Sequence, residues 1–180
     1  MKTPTNVLLA MSALGCVQAK DIVAWAVDSM VEGVDSESLR ILAGFDERES
    51  IFELQEYFSR VKSELGLCEP PKDEAVRTYS LHLAKAILEP GSDYDRLVSK
   101  LYELCYTNDY PDYLMDWYLL DDGLSDIRAG QYPTCFEQLY KADAREVTIG
   151  IAKTFINKNS EQDETQQPPL AALSSTSPVT

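Results

Sequence analysis

The residues with chemistry to offer in this chain are mostly carboxylates. Between Leu101 and Ile127 lie seven acids, Glu103, Asp109, Asp112, Asp116, Asp121, Asp122 and Asp126, with no lysine or arginine among them. Crowded carboxylates raise one another's pKa, so Asp121, Asp122 and Asp126 could share a proton or hold a cation. Adjacent residues on a helix point about 100° apart, however, and calcium takes about six to eight oxygens. These three acids make a poor cage. They define one alternative function, a carboxylate metal-binding protein or hydrolase.

Other catalytic chemistry is sparse. His82 is the single histidine and has no cysteine or carboxylate close by in sequence, so it reads as a boundary residue of a helix. Cys16, Cys68, Cys105 and Cys135 contain no C-x-x-C pair, which argues against a zinc or redox site and for free thiols in a reducing compartment. The Glu-x-x-His pairs of di-iron bundles, a phosphate-cradling glycine loop and a nucleophile elbow are all missing. The sequence therefore points to no catalytic residue, metal ligand or cofactor, and a non-enzymatic role is the expectation.

The acids are interleaved with aromatic residues, Tyr102, Tyr106, Tyr110, Tyr113, Trp117 and Tyr118. Acidic surface raises association rates with a basic partner, while buried tyrosine and tryptophan supply affinity. The expected interaction surface is Tyr102, Tyr106, Asp109, Asp112, Tyr113, Asp116, Trp117, Asp121, Asp122 and Asp126. A net charge of −14 disfavours nucleic acid, whose phosphates need clustered lysine and arginine, and equally disfavours anionic membranes. A protein partner, basic in character, fits this balance. The function expected is binding by protein–protein contact, in the manner of an inhibitor or immunity-type neutraliser. A homodimer seam along the tyrosine-rich helix is the structural alternative.

The elements that must position these residues are helical throughout. A chain of 180 residues suffices for one domain with a core. Apolar residues recur at helical spacing between glycine and proline stops, and no strand-period or transmembrane run occurs. The expectation is an all-α, single-domain bundle of about seven to eight short antiparallel helices over residues 1–157, followed by a disordered polar tail at 158–180. The best-marked stretch runs from Asp21, read as an N-cap, through Trp25 and the Gly33 stop, to a second cap at Asp35-Ser36 and a stop at Gly44. A seam of Ile51, Leu54, Phe58, Val61 and Leu65 marks another helix, and Val76, Tyr79, Leu83 and Ile87 a further one. Pro111 and Asp112 open the tyrosine-rich helix. Gly150, inside the last helix, reads as a point of close helix approach.

The amino terminus supports two readings. Lys2, the apolar stretch Val7 to Val17 and the small residue Ala19 resemble a secretory signal, which would place the protein outside the cytoplasm. The alternative, which we favour, is a first helix from Thr5 to Leu14 stopped by Gly15, in a cytoplasmic protein. Cleavage would also leave three cysteines, an awkward number in an oxidising compartment.

At Trp25-Ala26, Gly33, Asp35-Ser36, Ser38-Leu39 and Leu42-Ala43-Gly44 the pattern W-A-x6-G-x-D-S-x-S-L-x-x-L-A-G resembles one carried by small helical bacterial proteins of uncharacterised function. The resemblance covers about an eighth of the chain. It implies a bacterial, cytoplasmic, helical domain and assigns no activity.

Overall fold

In a computed structural model, which describes residues 2–46, 51–141 and 143–166, the chain is built from helices alone, with no strand among the described residues. The first four helices are α1 (Thr5–Ala13), α2 (Ala19–Val31), α3 (Glu37–Ala43) and α4 (Ile51–Glu64). The next are α5 (Lys72–Ile87) and α6 (Tyr94–Thr107). A 3-10 turn at Asp112–Leu114 leads into α7 (Met115–Arg128), followed by the single turn α8 (Gln138–Lys141) and the long α9 (Ala144–Gln166).

These helices close two apolar cores that share α1. Leu8 and Leu9 of α1 join Ile22 and Trp25 of α2, Leu39 and Leu42 of α3 and Leu54 and Phe58 of α4 in one core. Val7, Ala10 and Met11, on the other side of the same helix, join α5, α6, α7 and α9 in the second. A helix apolar all round is a buried helix. The two faces of Thr5–Ala13 therefore put it at the centre of the molecule, and Gly15, at φ +67°, turns the chain away from it.

The motif around Trp25 works entirely in this packing. Trp25 sits edge-to-face on Phe58 at 5.7 Å, and its indole N–H donates to Thr5 Oγ1 at 3.0 Å. Gly33 takes φ +89°, Ser36 Oγ accepts the Leu39 N–H, and Leu39 and Leu42 are buried. Ser38 donates its hydroxyl and its N–H to the Glu64 carboxylate at 2.6 and 3.1 Å, tying α3 to the end of α4. Hydrogen bonds from Ser36 and Ser38 hold the Glu64 carboxyl below the usual carboxylate range.

Several local expectations shift. The second helix starts two residues before Asp21, with Gln18 at the N-cap. Asp21 is its reciprocal partner, accepting the Gln18 N–H at 3.0 Å in a capping box. A C-terminal boundary at residue 157 is too early: α9 continues to Gln166, and Asn159 is buried with its Nδ2 on the Phe155 carbonyl. Of the expected tail, 167–180 lies outside the described residues. The glycine at a close helix approach is Gly123 on α7, where a Cβ would meet Leu139 Cδ1 at 2.8 Å and Phe136 Cβ at 3.1 Å. Gly150 has nothing within 4 Å of that position.

Candidate interaction surface

Helix α6 is strongly amphipathic because Val98, Leu101, Leu104 and Cys105 recur at helical spacing and are all buried. That leaves Tyr102 and Tyr106, one turn apart, on the flank that meets α7. The helix stops at Thr107, where Asn108 turns its Nδ2 back onto the Leu104 carbonyl at 2.8 Å. Asp109 and Tyr110 then both adopt left-handed backbone, at φ 60° and 52°. For residues other than glycine this conformation costs about 1 to 2 kcal/mol each. The Tyr110 N–H, donated to the Cys105 carbonyl at 3.0 Å, holds the turn. Strained backbone of this kind persists only where its surroundings over-determine it.

The turn folds Tyr110 back against α6 and α7, and four tyrosine rings meet there. Tyr102 stacks on Tyr118 at 5.0 Å and lies parallel to Tyr106 at 6.5 Å. Tyr110 closes the circuit, edge-on to Tyr106 at 5.8 Å and to Tyr118 at 5.4 Å. Tyr106 and Tyr110 remain 58% and 43% exposed, so the cluster is a surface and not a core. The Asp122 carboxylate, one turn along α7, raises the Tyr118 phenol above its ordinary pKa, with Tyr102 adding to the effect. Rings packed at 5 to 6 Å leave no gap for a cation between them. What they offer is their outer faces.

The residues expected at the surface divide among several places. Tyr102, Tyr106, Asp109 and Asp122 belong to the cluster or its edge. Asp112, Tyr113 and Asp116 line a separate cleft of about 420 Å³ with Arg77, Lys158 and Asn159, where the Arg77 guanidinium lies 4.3 Å over the Tyr113 ring. Trp117 does not belong to any surface: it is wholly buried, edge-to-face on Phe155 at 5.6 Å. Its neighbours along α7, Leu120 and Leu124, point the same way into the core. Asp121 accepts the Ser99 hydroxyl at 2.8 Å, an α6–α7 tether, and Asp126 is half-buried. Tyr110 and Tyr118 complete the ring circuit and were absent from the expected set. The recurrence of tyrosine at 102, 106 and 110 could have pointed to the first of them, but the register of α7 against α6 is tertiary.

Asp121, Asp122 and Asp126 do not form a cage. Among the described residues no three His, Cys, Asp or Glu side chains gather in a group able to hold a metal ion. His82 is half-buried on α5, and burial, with Lys85 and Lys100 nearby, lowers its pKa. The four cysteines are unpaired, three of them exposed. No described helix is long and apolar enough to cross a membrane.

The fold and this face together define an all-helical protein carrying an acidic, tyrosine-lined surface. No family model, curated protein or solved structure matches the chain.

Proposed function

We propose that this chain is a non-enzymatic binding protein that engages a basic protein partner through the Tyr102–Tyr106–Tyr110–Tyr118 face, as inhibitors and immunity-type proteins neutralise basic targets. One observation carries the reading. Arginine side chains already lie over Tyr57, Tyr94 and Tyr113, at 5.1, 5.9 and 4.3 Å, while none of the four clustered rings has a cation over it among the described residues. Exposed ring faces beside carboxylates attract guanidinium and ammonium groups, each contact contributing about 0.5 to 2 kcal/mol. The acid excess, 30 acids against 16 lysines and arginines, supplies long-range steering. Unpaired thiols fit a reducing compartment, and a cytoplasmic location is part of the proposal.

Affinity capture at low salt from the cells that make the protein tests this. The wild type should recover a basic protein whose binding weakens steeply as salt is raised. Tyr106→Ala with Asp122→Lys should lose it, with the melting temperature within a few degrees of wild type. Undiminished recovery by that variant, or recovery indifferent to salt, refutes the proposal.

A further inference from the structure

Helix α2 carries a second apolar face that the fold leaves uncovered. Its inner side, with Ile22, Trp25 and Ala26, packs into the first core. On its outer side Lys20, Ala24, Val27 and Val31 follow at intervals of four, three and four, and all are exposed. That is the spacing of a coiled-coil seam, which keeps one line of side chains toward a partner helix. Val27 and Val31 are 43% and 83% exposed, and Met30 beside them and Val34 past the Gly33 turn are open as well. A surface helix ordinarily turns polar groups outward, yet no acid interrupts this stripe in a chain of 30 acids. The two ends of the stripe differ in charge. At its start Lys20 borders a groove with Arg96 and Lys100, three cations against the two acids Glu89 and Asp93. None of the three forms an ion pair among the described residues. Around its far end three acids, Glu32, Asp35 and Glu37, face two cations, Lys2 and Arg40. The carbonyls that end α2 add partial negative charge there.

We propose that the outer face of α2 is the seam of a homodimer, in which two copies of the helix pair antiparallel about a twofold axis. Ala24 of each copy then packs against Val27 of the other, and the stem of Lys20 lies along Val31 of the other. This brings the cationic end of each stripe to the acidic end of its partner, twice over, as an isologous contact requires. A parallel pair would instead set Lys20 against Lys20 and Glu32 against Glu32. The same charge pattern selects a second copy as the occupant. A net charge of −14 keeps two copies apart over most of their surface, and this stripe is a stretch where they can meet without facing carboxylates. A basic partner, for the same reason, finds nothing along the stripe to attract it. One helix of 13 residues offers less than the about 800 Å² per partner of a standard interface, so the dimer is a weak, reversible one. The seam is independent of the tyrosine face and stands whether or not that face binds a protein.

Sedimentation equilibrium of the full chain reads it out. The average mass should climb from that of one chain toward that of two between about 10 µM and 1 mM. Val27→Lys combined with Val31→Lys, both at exposed positions, should weaken association about tenfold or more with the helix signal unchanged. Lys20→Glu should weaken it about threefold to tenfold, because it sets an acid against the acidic end of the other copy. Tyr106→Ala should leave it unchanged, which separates this seam from the tyrosine face. The proposal is overturned if the mass stays at one chain throughout, if either seam variant associates as the wild type does, or if Tyr106→Ala abolishes association. Should the double variant fail to fold, Val31→Lys alone, at the more exposed of the two valines, decides in the same way.

Discussion

Trp25 and Trp117 are both sealed from solvent, 2% and 0% exposed, but their indole N–H groups fare differently. Trp25 donates to Thr5 Oγ1, whereas the buried Trp117 Nε1 has no acceptor among the described residues. Replacement by phenylalanine removes similar volume at each site. At Trp25 it also removes a hydrogen bond, and at Trp117 it relieves an unsatisfied donor. Trp25→Phe should therefore cost more stability than Trp117→Phe, by about 1 to 3 kcal/mol, in urea unfolding. His82 supplies a pH-dependent counterpart. Burial lowers its folded pKa below the ordinary 6.5, so the unfolded chain takes up the proton first as pH falls. Stability should decline as the pH drops from 7 through that ordinary value toward the lowered one. His82→Gln should flatten this slope of the urea midpoint while leaving the carboxylate-driven loss at lower pH intact.

At the scale of the element, glycines separate what a helix wants from what its neighbours permit. Alanine is favoured over glycine inside a helix by about 1 kcal/mol. At Gly150 nothing opposes that gain, and Gly150→Ala should stabilise by about 0.5 to 1 kcal/mol. At Gly123 the added methyl would press on Leu139 and Phe136, and overpacking costs about 1 to 3 kcal/mol, so Gly123→Ala should be destabilising overall. Thermal melts of the two variants should move in opposite directions. Both glycines look alike in sequence, each set in an amphipathic run. Only the approach of the segment around α8 distinguishes them. Caps are more legible, because a side chain such as Ser36 acts on a backbone N–H only three residues away. Gln18 escaped notice because its role depends on a reciprocal bond with Asp21.

At the scale of the molecule, α1 couples two cores that would otherwise be separate helical layers. Trp25 reports on one and Trp117 on the other. Trp117 fluorescence followed in Trp25→Phe, and Trp25 fluorescence in Trp117→Phe, should each melt at the midpoint of that variant's own helix signal, as one cooperative unit. Leu8→Ala, which opens a fully buried position on α1, should lower stability by about 2 to 5 kcal/mol and shift both reporters together. Midpoints that separate would show the layers to be independent.

Helical class, the stops at Gly15 and Gly33, the seams of α4 and α5 and the acidity of the 101–127 stretch are all written in the order of residues. Each depends on a period, a cap or a count, and these are local quantities. Which tyrosines share a surface is not written there, nor that Trp117 faces inward, that Asp112 and Asp116 turn to a different cleft, or that the outer side of α2 stays open to solvent. Those outcomes follow from the rotation of each helix against its neighbours and from two left-handed residues at 109 and 110. A rotation of one residue, about 100°, moves a side chain from core to solvent, and only packing between distant segments chooses among such rotations.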